Sequence, residues 1–244
     1  ALWAVGLRTQ GAPLAQVEEA IERGEIVRTW PMRGTLHLLA REDVRWMVAL
    51  LAPRVQAANA ARIARDLGLD AAALTRGRHV VEKALAAGTP VTRSALYACM
   101  EAAGFASAHQ RGLHLLNWLA HEGAICQGPR HGKQPTFVLM DAWVPPSTPL
   151  GRDEALHRLA LRYLQGHGPA TAADLAWWSG LTQKDALRAL ELAGSALEKE
   201  TRDGTTWWWR ADAPLPARSR VIHLLPAFDE YLIGYRDRTP VLDA

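Results

Sequence analysis

Cysteine is nearly absent from this chain: Cys99 and Cys126 are the only two in 244 residues. Both stand in apolar surroundings without a CxxC or a Cys/His ligand spacing. That excludes a disulfide framework and a zinc site, and leaves two buried thiols as the expectation. Long apolar runs are missing too. No stretch of about 18 uncharged apolar residues occurs and no basic-then-apolar leader opens the chain, so neither a membrane span nor a secretion signal is expected and the reading is cytoplasmic. Lysine is scarce: Lys83, Lys133, Lys184 and Lys199 stand alone, and the other 24 of 28 basic residues are arginine. Arginine suits bidentate phosphate and guanine contacts, although codon bias produces the same skew in a chain this rich in Ala, Leu and Gly. A Gly-rich phosphate loop, a Walker motif, H-E-x-x-H and G-x-S-x-G are all lacking, which removes P-loop, zinc-peptidase and serine-hydrolase chemistry. No cofactor and no metal are expected.

What is present is a chain long enough for one large or two to three small domains, with 49% hydrophobic residues and a formal net charge of only +3. Disorder is not expected. Its organising stretch runs from Val27 to Leu39 and reads as a hairpin. Ile26 to Trp30 and Thr35 to Leu39 are rich in β-branched and large apolar residues, and Pro31 and Gly34 bracket a tight connection that neither strand accommodates. Alternation puts Leu36 and Leu38 on one face, expected to be the core, and Thr35, His37 and Leu39 on the other. Arg33 then sits beside Thr35 and His37. The same pattern also describes an ordinary solvated hairpin.

Further along, a unit recurs: helix, Gly-Pro break, helix, turn, helix, hairpin. Residues 1 to 9 read as the tail of a helix. A short acidic helix over 14 to 23, with Glu18, Glu19 and Glu22, ends at Gly24 and leads into the hairpin. A helix from Arg41 carries Val44, Met47, Val48 and Leu51 at core spacing, Pro53 interrupts it, and a second helix runs to Leu67. The middle copy has helices over 71 to 87, around Leu96 to Ala103, and over 107 to 122. Its hairpin is Ala124 to Gln127, a polar loop Gly128 to Lys133, and Pro135 to Met140. After a Pro-rich connector, Asp141 to Pro149, the third copy has helices over 152 to 166, 171 to 179 and 182 to 193. A hairpin turned by Asp203-Gly204 closes it. Val221 to Leu225 reads as a further strand, followed by Pro226 to Tyr231 with Asp229 and Glu230.

Helix, helix, helix, hairpin is the order of a winged helix-turn-helix, whose third helix enters the major groove and whose wing touches the backbone. The fold expected is therefore α+β and mainly α. Tandem winged helix-turn-helix units cover 1 to 68 (N-terminally incomplete), 69 to 141 and 150 to 211, and a small, incomplete β segment covers 212 to 244. The middle copy carries the most suitable face. Gln110, His114, Asn117 and His121 form a polar stripe with Arg111 beside it, and Arg130, His131 and Lys133 add cations in the wing. A polar stripe with a basic loop is equally the pattern of plain surface. Asp229, with Glu230 beside it as an acid/base pair, and His37 are the candidates for acid/base work, against the ordinary alternatives of cap or surface carboxylates and a cleft histidine.

At Trp30, at Arg33-Gly34-Thr35-Leu36-His37, and from Leu224 through Asp229-Glu230-Tyr231 to Arg238, the sequence resembles a bacterial family of tandem winged-helix proteins. That family includes the AlkZ/YcaQ-type DNA glycosylases, which excise alkylated bases and unhook interstrand crosslinks. The resemblance implies tandem winged helices around double-stranded DNA, acting as a monomer without a membrane, with Arg33, Thr35, His37 and the middle copy facing the duplex. It implies further that a Gln-x-Gln or Gln-x-Asp pair, which places the attacking water in glycosylase members, belongs ahead of the segment matching Ala1 to Arg8; Gln10 and Gln16 lack that spacing. Two other readings stay open: a non-catalytic DNA-binding regulator or architectural protein, and winged helices that serve as protein-interaction modules.

Overall fold

A computed structural model describes residues 2–9, 12–214 and 221–239 of this chain. Gln10, the start of the last segment at Arg218, and residues 240 to 244 lie outside the described residues. The chain divides into two compact units, one of residues 13–149 and one of residues 150–244 together with 1–12. The architecture is α+β with small antiparallel sheets. Among the described residues no helix is long and apolar enough to cross a membrane.

Helix α1 (Leu2–Arg8) belongs to the second of these units. The first begins with α2 (Leu14–Glu22), seated by Val17 and Ile21, and the hairpin β1 (Ile26–Met32) and β2 (Thr35–Ala40) follows. Pro31 lies inside β1, contrary to its expected place in the connection. The strand register shifts between Thr29 and Met32, so Pro31 sits where the ladder is already irregular. The turn itself is Arg33-Gly34, with φ of 54° and 70°. Two successive left-handed residues make the tight turn that suits a twisted hairpin, and glycine takes this conformation without strain.

Helix α3 (Arg41–Leu67) is continuous, so the predicted interruption at Pro53 does not occur. Leu51 and Ala52 are buried on one side while Ala49 and Pro53 face solvent. The carbonyl that loses its partner to proline is thus on the wet side, and packing on the dry side carries the helix through. Then come α4 (Ala71–Leu85), β3 (Val91–Thr92), α5 (Arg93–Ala102), α6 (Arg111–His121), β4 (Ile125–Gln127), β5 (Thr136–Leu139) and α7 (Met140–Trp143). Asp70 and Thr92 cap α4 and α5 by accepting the Ala73 and Ala95 amides. The third helix of this copy starts at Arg111 rather than near 107, because His109 and Gln110 have positive φ and turn the chain into it.

The strands of this unit form one sheet in the order β2-β1-β4-β5-β3. One face carries Trp30, Ile125 and Phe137 and packs on α4, α5 and α6 through Val81, Leu96, Met100, Leu115 and Leu119. The other carries Val27, Cys126 and Val138 and packs on Val44, Val48 and Ala52 of α3. Leu39 joins this second core, whereas Leu36 is 37% exposed. The expectation that Leu36 and Leu38 seat the hairpin is therefore reversed: β2 is an edge strand, and α4 to α6 do not reach across to cover its Leu36 face.

The other unit repeats the order on a smaller scale: α8 (Arg152–His167), β6 (Ala170–Thr171), α9 (Ala172–Ser179), α10 (Gln183–Leu192), β7 (Leu197–Arg202) and β8 (Thr205–Arg210), with strands ordered β6-β8-β7. Thr171 and Asp174 form a reciprocal cap on α9 and Thr182 caps α10. Both copies are compatible with the winged-helix order. Residues 221 to 225 have no regular structure, so the strand expected there is absent, and a single turn α11 (Glu230–Ile233) follows. That segment holds on by side chains instead of a ladder. Glu230 accepts from Trp178 at 2.8 Å and faces His167 at 3.3 Å, and the Tyr163 hydroxyl donates to the Gly234 carbonyl at 2.9 Å. Of the two thiols, Cys126 is buried and its pKa is pushed up to about 12 by burial, while Cys99 is exposed, which corrects the expectation of two buried thiols.

Candidate nucleic-acid interface

Strand register assembles the site. Leu38 pairs with Arg28, Arg28 with Gln127, Gln127 with Phe137 and Phe137 with Val91, a single row across all five strands. Directly paired residues project from the same face of a sheet, so Arg28 and Gln127 stand side by side between Leu38 and Phe137. Trp30, two positions beyond Arg28, lies parallel to Phe137 with ring centroids 6.4 Å apart. Together with Leu36, Leu113 and Pro135 these side chains wall a cleft of about 260 Å³.

Three more cations reach this cleft: Arg93 at the start of α5, and Arg130 and Lys133 from the loop between β4 and β5. The loop is pinned. His131 and Gln134 exchange two backbone hydrogen bonds at 3.1 Å, the Thr136 hydroxyl donates to the Pro129 carbonyl at 2.5 Å, and Ser94 donates to the Gln134 amide oxygen at 2.9 Å. Among the described residues no carboxylate lines the cleft. Burial, helped by the nearby Arg130, holds the Arg28 guanidinium below its ordinary pKa. Its charge is thus raised in energy there, and an anion beside it would relieve it.

The other predicted residues fall into separate groups. Thr35 and His37 lie together, the hydroxyl 2.7 Å from His37 Nε2, next to Arg33 in the turn. Gln110 is exposed at the head of α6. Arg111 donates to the Leu67 carbonyl at 2.6 Å and lies 4.7 Å over the Phe105 ring, binding α6 to the end of α3. His114 is half-buried, and burial together with Arg62 of α3 depresses its pKa. Asn117 Oδ1 and His121 Nε2 are buried with no hydrogen-bond partner among the described residues. His121, whose pKa burial lowers to about 4, lines a depression of about 360 Å³ with Arg45, Val48, Pro53 and Gln56 of α3. The polar stripe of α6 therefore lies against α3 and not on an open face.

Asp229 is in the other unit. It is 1% exposed, accepts the Tyr231 amide at 2.9 Å as cap of α11, and takes Arg8 at 2.6 and 3.1 Å on its two oxygens. Arg8 keeps its carboxyl below the ordinary range. A carboxylate so engaged is a fixed negative charge and has little capacity to accept a proton from water. The Gln-x-Asp spacing of Gln183-Lys184-Asp185 is likewise structural: Asp185 accepts from the Thr182 hydroxyl at 2.8 Å and pairs with Arg152 at 3.0 Å.

Of the residues lining the cleft, the sequence reading names Arg130 and Lys133 and not Arg28, Arg93 and Gln127. The one available signal was Arg28 facing the same way as Leu36 and Leu38, and it was obscured because that face was assigned to the core.

A family model described as AlkZ-like DNA glycosylase matches residues 1–244. An interstrand DNA cross-link repair glycosylase of Streptomyces sahachiroi is 27% identical over 255 residues, which cover 94% of this chain and 65% of that protein. The chain thus spans slightly less than two thirds of that relative's length. The solved structure of Streptomyces sahachiroi DNA glycosylase AlkZ superposes with a TM-score of 0.74 at 23% identity, covering 99% of this chain and 69% of that one. This likeness establishes the fold.

Proposed function

The chain belongs to the AlkZ-like DNA glycosylase family, and from that premise we propose that it binds double-stranded DNA and excises alkylated or crosslinked bases by hydrolysing the N-glycosidic bond. The observation that carries the duplex-binding half is the cleft: four cations converge on it, and among the described residues no carboxylate lines it. Phosphate contacts of this kind position a protein on a duplex without reading its sequence. Arg28, Arg93, Arg130 and Lys133 take the backbone, with Arg33, Thr35 and His37 at the hairpin turn and Gln110 at the head of α6 as neighbouring contacts. Arg111 holds α6 to the end of α3 and positions these groups.

In the reaction proposed, water adds to the sugar carbon as the base departs, and positive charge develops on the sugar. Asp229, ionised and fixed by Arg8, fits a stabilising counter-charge better than a base. The likeness to an interstrand DNA cross-link repair glycosylase of Streptomyces sahachiroi supports the substrate class. The engagement of both Asp229 oxygens favours a second reading, a duplex binder without catalysis. A duplex holding one N7-methylguanine separates the two: the purified protein is expected to release the base. Binding without release overturns the enzymatic half and leaves the binding half standing.

A further inference from the structure

The floor of the cleft holds something that a general cationic patch lacks. Gln127 is 6% exposed overall and its side chain lines the cleft. A neutral amide at this place can donate to an acceptor that enters the cleft. Register sets Gln127 beside Arg28 on the same face, and Arg130 stands close enough for the two guanidinium charges to oppose each other. One group suits all three side chains: an oxyanion that accepts from both guanidiniums and from the amide.

We propose that this cleft is a single-phosphate clamp, in which Arg28 from the sheet and Arg130 from the β4–β5 loop grip the non-bridging oxygens of one DNA phosphodiester while the Gln127 amide donates to the same group. The proposal rests on the duplex-binding reading and specifies its geometry. The walls formed by Trp30, Leu113 and Phe137 keep the local dielectric low, which strengthens charge-assisted hydrogen bonds. The same lining excludes the lesion itself. An N7-alkylated purine is cationic, and a cleft with four cations and no acid repels it, so the clamp takes backbone and the damaged base lies elsewhere.

Gln127 gives the clamp a signature that diffuse electrostatics does not have. Duplex affinity is measured at several salt concentrations for the wild type, Arg28→Met, Gln127→Leu and Lys133→Met. In a clamp, Arg28→Met loses affinity about ten-fold or more and flattens the slope of log K against log salt by about 0.9, the value for one phosphate contact. Gln127→Leu loses on the order of five-fold with the slope unchanged, because a neutral donor releases no counterion. Gln127→Glu supplies Arg28 with an internal partner, so it is expected to fold as stably as the wild type while losing more affinity than Gln127→Leu. The clamp is overturned if Gln127→Leu and Gln127→Glu both bind like the wild type, or if Arg28→Met loses no more than the rim variant Lys133→Met. Inorganic pyrophosphate provides the arm that is independent of DNA. Thermal stabilisation of the wild type by pyrophosphate, absent in Arg28→Met, supports the clamp even where duplex binding fails; equal stabilisation of both proteins counts against it.

Discussion

Arg8 reaches Asp229 with two guanidinium nitrogens, at 2.6 and 3.1 Å, across 221 positions of sequence. The pair closes α1 onto the turn before α11, and Asp229 caps that helix at the same time. A residue that sequence reasoning marked for acid/base work is thereby held ionised by a structural partner.

This pair predicts an acid-dependent stability. The Asp229 pKa is lower in the folded chain than in the unfolded one, so its contribution is present above the unfolded value of about 4 and is lost as pH falls through the folded value. Arg8 is half-exposed, so Asp229→Asn should cost about 1–2 kcal/mol at pH 7, less than a fully buried pair. Urea unfolding from pH 7 to pH 3 should show the gap between wild type and variant constant down to about pH 5 and closing below pH 4. A gap that does not change with pH would remove the charge argument.

His121 adds a loss of the same sense at higher pH. Its imidazole is neutral in the fold with a pKa of about 4, so between the ordinary histidine value and 4 the unfolded chain binds more protons and stability falls as pH drops. The loss approaches roughly 3 kcal/mol over that window. His121→Leu should lack it, and unfolding curves at pH 4.5 and pH 7 for the two proteins decide the matter.

Arg111 separates packing from DNA contact. Its guanidinium lies on the Leu67 carbonyl and over Phe105, so Arg111→Met should lower unfolding free energy by about 1–2 kcal/mol. Affinity of the folded variant for duplex should stay within about three-fold of the wild type, less than the loss of a direct phosphate contact. A larger affinity loss in a protein of unchanged stability would return Arg111 to the interface.

The hairpin faces are testable by paired truncation. Leu39 packs into the α3-side core and Leu36 is exposed. Leu39→Ala should therefore cost about 2 kcal/mol, and Leu36→Ala less than about 1 kcal/mol. The reverse order in thermal or urea unfolding would restore the original assignment of the faces.

Much of the fold was legible because it is written in short-range periodicity. Leu96 and Met100, Leu115 and Leu119, and Leu156, Leu159, Ala160 and Tyr163 recur at helical spacing, and all of them are buried. Asp203-Gly204 and Gly34 mark turns because few residues accept positive φ. The errors came where local rules meet tertiary context. Pro53 breaks an isolated helix but not one with a packed inner face, and Val221 to Leu225 has strand-like composition but no described strand beside it to complete a ladder.

By itself the sequence determined the α+β repeat, the positions of most helices and hairpins, and the presence of Arg130 and Lys133 in one polar loop. Those features depend on spacings of two to four residues and on single turn residues, which a linear reading contains. Only the tertiary structure decided which face of β2 is covered, that the α6 stripe lies against α3, and that Arg28, Gln127 and Arg130 share one cleft. The last depends on the register between β1 and β4, two strands far apart in the chain, and register is settled by the packing of both sheet faces at once, which no local pattern records.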